Sequence, residues 1–143
     1  MKRRESVKLL GAAIISAFSF TPEDVWVTIA SAGRNHMSRE YSESALSDML
    51  SGLPGGKVTE WQFDYGIAGL LGVVVDARRT GPLIQAKIRW FKGKKPLGIS
   101  YACPCGAGIE WKMDGGTMIV TRYQFESLQV TSAGSSFAEA TPV

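Results

Sequence analysis

Apolar residues recur at spacings of three and four through residues 5–19, where Val7, Leu10, Ala13, Ile14, Ala17 and Phe18 would share one buried helix face. A second helix is predicted after Thr21. Threonine is a good N-cap, Pro22 suits the first helical position, and Glu23 and Asp24 favour the positive end of the helix dipole. It would run to about Ala32 and stop at Gly33. A third helix is predicted from near Ser38, with Tyr41, Ala45, Leu46, Met49, Leu50 and Leu53 on one stripe. Gly52 and then Pro54-Gly55-Gly56 end it and form the clearest internal boundary.

Beyond that boundary the period changes to two. Trp61, Phe63 and Tyr65 alternate with Gln62 and Asp64, and the uncharged run 67–75 reads as a buried strand in which Gly69 and Gly72 mark bends or close packing. Strands at 83–91 and 97–102 are joined by Lys92-Gly93-Lys94-Lys95-Pro96, a loop suited to a hairpin. Strands at 109–113 and 117–125 flank Asp114-Gly115-Gly116, a stronger hairpin signal because the turn needs positive φ. Residues 128–131 add a last edge strand. The pattern predicts an α+β domain: two or three N-terminal helices followed by a mostly antiparallel β-sheet of five or six strands. Its helical segment spans 1–53 and its antiparallel segment 57–131, the two sharing one core. Residues 132–143 are small and polar and read as a mobile tail.

Composition agrees with a folded chain: 45% hydrophobic and 20% charged residues are ordinary for a globular domain and too apolar for a disordered one. At 143 residues one domain is expected. The longest apolar stretch at the N-terminus, residues 9–20, is too short to cross a bilayer. Cys103 and Cys105 are separated by one proline; a disulfide between them would close a small, strained ring, so both are read as free thiols in a reducing compartment.

The first thirteen residues hold Arg3-Arg4, then Lys8, then Leu9-Leu10-Gly11-Ala12-Ala13, and Ala30-Ser31-Ala32 follows as a small-residue site. This arrangement resembles a twin-arginine export signal, which implies removal of residues 1–32 and an exported product. The periodic reading of the same residues is an amphipathic first helix of a cytoplasmic protein, and that reading is preferred.

Charge changes the picture more. The chain has 16 Lys+Arg against 13 Asp+Glu, yet Arg78, Arg79, Lys87, Arg89, Lys92, Lys94 and Lys95 fall in a stretch, Ala77 to Ile109, that has no acidic residue. Without these seven the balance would be 9 against 13. Lys87 and Arg89 lie two apart, so a strand presents them on one face with Ile88 and Trp90 on the other. A patch of this kind attracts phosphates or acidic surfaces. It equally suits a strand edge guarded by cations against sheet-to-sheet association.

Other motifs are weaker. A helix-turn-helix reading of the N-terminal half would give its recognition helix Glu40, Glu43 and Asp48 against Arg39 alone, which repels phosphate. Cys103-Pro104-Cys105 is half of a metal knuckle, with His36 the one histidine that could join it. No phosphate-cradling glycine loop or nucleophile elbow occurs. Trp26, Trp61, Trp90 and Trp111 fit a shared aromatic core or an exposed aromatic surface. The expectation is a small non-enzymatic binding protein, without catalytic residues, metal or cofactor, whose basic β surface docks onto nucleic acid or an acidic protein surface. The rival expectation is a structural or assembly protein, such as a virion component or accessory subunit, that self-associates through aromatic and edge-strand surfaces.

Overall fold

The computed structural model describes residues 25–61 and 69–143. The chain order is β1 (Val25–Ser31), β2 (Arg39–Tyr41), α1 (Glu43–Gly52), β3 (Lys57–Glu60), β4 (Leu70–Thr80), β5 (Leu83–Trp90), β6 (Tyr101–Asp114) and β7 (Thr117–Thr131). Among the described residues 56% are in strands and 9% in a single helix, so the expected architecture of two or three N-terminal helices and an antiparallel sheet is overturned. The predicted helix at 5–19 lies outside the described residues.

The second predicted helix is corrected to a strand over its described part. Val25, Trp26, Val27, Thr28 and Ile29 are β-branched or aromatic residues that pack well on a pleated surface. That local preference and pairing with β5 prevail over the capping signal at Thr21-Pro22. The third predicted helix starts later than Ser38. Residues 39–41 form β2, and Ser42 caps α1, its Oγ accepting from the Ala45 N–H at 3.2 Å. The apolar stripe holds nevertheless: Ala45, Leu46, Met49 and Leu53 are all at most 1% exposed.

The seven strands make one curled, mixed sheet rather than a mostly antiparallel one. Its order is β1-β5-β4-β3-β7, with β6 antiparallel along the far side of β7. β2 and β3 share the remaining side of β7, both parallel to it: Arg39–Tyr41 lie against Met118–Val120, and Lys57–Glu60 against Ser127–Val130. Between them the chain leaves the edge as α1 and returns. Close approach at that return requires glycine. A Cβ at Gly52 would lie 2.8 Å from Phe125 Cβ and one at Gly56 2.8 Å from the Phe125 ring; on β4, one at Gly72 would lie only 2.4 Å from the Arg89 carbonyl oxygen.

Asp114-Gly115-Gly116 does form the expected hairpin turn, with φ of 54° and 84° at the two glycines. The hairpin expected through Lys92–Pro96 does not form. β5 pairs with β1 and β4, whereas β6 pairs with β7, so residues 92–100 are a connection between distant parts of the sheet. The core lies inside the curl and joins Ile29, Leu46, Met49, Val58, Ile84, Ile88 and Leu128. Residues 132–143 fold back over this core. Phe137 is 5% exposed and packs on Tyr41, and the Thr141 N–H donates to the Thr28 carbonyl at 3.1 Å while the Thr28 N–H donates to Thr141 Oγ1 at 2.9 Å. The free edge of β1 is thereby covered. Among the described residues no helix is long and apolar enough to cross a membrane.

Candidate anion-binding face

Burial along β5 alternates strictly: Ile84, Ala86, Ile88 and Trp90 are buried, and Leu83, Gln85, Lys87 and Arg89 are half-buried on the convex face. Register extends this face across three strands. Lys87 stands opposite Trp26 of β1 and Asp76 of β4, and Gln85 stands opposite Thr28 and Arg78. Gln85 ties these rows together. Its Nε2–H donates to Thr28 Oγ1 at 3.1 Å, and its Oε1 accepts from Arg78 Nε at 2.8 Å and Thr80 Oγ1 at 3.2 Å.

Held in this way, the Arg78 guanidinium lies over the Trp26 indole with its Cζ 4.1 Å from the ring centroid. Lys87 Nζ approaches the same ring at 5.6 Å. The negative face of the indole attracts each cation, which offsets part of their mutual repulsion. Asp76 belongs to the same row and weakens the local field; its Oδ1 accepts from the Ala77 N–H at 2.8 Å. Further along, Arg89 and Lys57 stand on either side of Val73, so a second basic row continues the face toward β3.

The seven predicted residues therefore divide. Arg78, Lys87 and Arg89 share the convex face. Arg79, next to Arg78, points the other way and forms a bidentate ion pair with Glu43 of α1, one of its two bonds measuring 3.0 Å. That contact holds the Glu43 carboxyl below its ordinary range, and it also raises the arginine. Arg79 is thus occupied in tying α1 to β4. Lys92, Lys94 and Lys95 are exposed on the loop after β5, beyond the Arg89 end of the strand. Among the described residues Lys87, Lys92, Lys94 and Lys95 make no ion pair.

Trp26, Gln85 and Lys57 are the members that sequence reasoning missed. The β-branched and aromatic run from Val25 to Ile29 was the available signal, and it was masked by the helix-cap pattern just upstream. Lys57 joins only through long-range pairing.

The other sequence candidates are elsewhere. Cys103 and Cys105 are free thiols on β6. Burial raises both, Cys105 to about 11 with the neighbouring Cys103 and Glu126 adding to the effect, so both are protonated at neutral pH. Among the described residues no three His, Cys, Asp or Glu side chains converge on a point that could hold a metal ion. His36 is exposed, and its backbone N–H donates to the Ser136 carbonyl. Compared with known proteins, the chain matches no family model, no curated protein and no solved structure. A functional reading must come from this chain's own side chains.

Proposed function

We propose that this protein is a non-catalytic binding protein that takes single-stranded nucleic acid on the convex face of β1, β5 and β4. The observation that supports the reading is the placement of Arg78 and Lys87 on one indole, Trp26, within an open sheet surface. Single strands are held by two kinds of contact, cations that follow the backbone and flat groups on which bases stack. An arginine lying over an indole serves both, since its guanidinium carries the charge and offers a plane for a base. Arg89 and Lys57 extend the cationic track along the strands, and the lysines of the 92–95 loop widen it.

The binding should follow counterion release. With Arg78, Lys87 and Arg89 each displacing one counterion, the logarithm of affinity for oligo-dT should fall against the logarithm of salt with a slope of about −2. Fluorescence anisotropy between low and moderate salt measures it. Absence of binding at low salt, or an affinity unmoved by Arg78→Ala and Lys87→Ala, would sink the proposal and leave the patch as a solvated charged face of central strands.

A second reading has one observation in its favour. Along β6, Ile109, Trp111 and Met113 are 56%, 56% and 58% exposed, and among the described strands β6 pairs only with β7. An apolar strand with a free edge is suited to pairing with another chain. This is the assembly role, and it predicts a concentration-dependent size in solution that Trp111→Lys abolishes.

A further inference from the structure

A cleft of about 370 Å³ lies between β2, the start of β6 and the turn after β7. Its walls are mostly apolar: Met37, Tyr41, Trp61, Pro104 and Phe137. A second hollow of about 380 Å³ adjoins it and shares Arg39, Tyr41, Pro104 and Cys105. Arg39 is the one charged residue among the described residues that line either hollow. Its guanidinium has no hydrogen-bond or ion-pair partner among them. The strand start fixes its position. Asn35, 8% exposed, accepts from the Met37 and Arg39 N–H groups through Oδ1, at 2.9 and 3.0 Å, and so anchors the turn that leads into β2.

We infer that this cleft is a small-molecule site for a flat, apolar monocarboxylate, with the carboxylate on Arg39 and the ring system against Tyr41, Phe137 and Trp61. The volume is that of pockets that take ligands of drug size, roughly 300–1,000 Å³. A guanidinium matches a carboxylate in a two-point fork, which favours a planar anion. The ligand carries one negative charge because, among the described residues, one cation lines the cleft, and a second anionic group would be desolvated without a partner. The protonated thiols of Cys103 and Cys105 add no competing charge to the wall. Met37, 72% exposed at the lip, supplies an adaptable apolar cover.

The test uses 2-naphthoate and its uncharged counterpart 2-naphthamide, titrated into the full-length protein by calorimetry, with amide chemical shifts followed in parallel. One site per chain is expected, with shifts centred on Cys103, Phe137 and Tyr41. Losing the charge-assisted bond, either as naphthamide or in Arg39→Gln, should weaken binding roughly tenfold or more. Arg39→Lys should recover only part of the loss, because the fork geometry is gone. Equal affinity for the acid and the amide would overturn the inference, as would shifts centred on Trp26 or no binding at millimolar acid. The amide shifts of Arg39→Gln also report whether its fold is intact, so a lost affinity is attributable to the missing cation.

Discussion

Asp48 of α1 accepts three hydrogen bonds from β7: Arg122 Nε at 2.9 Å, Arg122 Nη2 at 3.3 Å and the Tyr123 N–H at 3.0 Å. The arginine and then the backbone donor hold this carboxyl below the ordinary value of 3.8. Because its native pKa is depressed, the stabilisation is fully present above 3.8 and is lost as pH falls through the lower native value. Asp48→Ala should cost about 1 kcal/mol at neutral pH, a figure kept small because the pair sits at the solvent rim. Chemical denaturation from pH 6 down to pH 2 checks both points, and the variant should lose less stability on acidification than the parent chain. Cys105 gives the complementary expectation. With its thiol raised to about 11, alkylation by iodoacetamide at pH 7.5 should be slower than for a cysteine in the unfolded chain and should accelerate up to that pH.

At the level of elements, what could be read in advance was local. The apolar stripe of α1, the turn at Asp114-Gly115-Gly116 and the shared face of Lys87 and Arg89 each depend on residues within a few positions of one another. Partners distant in sequence were not legible. Lys92-Gly93-Lys94-Lys95-Pro96 has the chemistry of a hairpin loop, yet β6 pairs with β7 because thirteen register positions along that ladder outweigh any local preference at the loop. For β1 two local signals conflicted, and the β-branched run prevailed once β5 was available to pair with it. The same conflict concealed Trp26, so Arg78 and Lys87 could be named from sequence while the ring beneath them could not. Capping is testable here: Ser42→Ala removes the acceptor for the Ala45 N–H and should destabilise the protein by about 1 kcal/mol in thermal or denaturant unfolding.

For the molecule as a whole, the sheet curls until its two ends are joined by the C-terminal segment. Val143 donates from its N–H to the Ser100 carbonyl at 2.9 Å, and Thr141 bonds to Thr28 on β1. Phe137 anchors this segment, so Phe137→Ala should cost about 3 kcal/mol, read as a lower denaturation midpoint. Deleting residues 133–143 should also uncover the β1 edge and promote self-association, detectable by light scattering. The β1 strand itself supplies Val27, Ile29 and Ala30 to the core, so a chain lacking residues 1–32 should not fold to this sheet, a point that circular dichroism of the truncated protein decides. The central claim is that the convex face combines charge with stacking, and it is tested most directly by oligo-dT affinity in the parent chain and in Trp26→Leu at one low salt concentration. Loss of one stacking platform corresponds to about 1–3 kcal/mol, so the account predicts a weakening of roughly five- to 150-fold with the salt slope little changed. An affinity that stays the same in Trp26→Leu would contradict it.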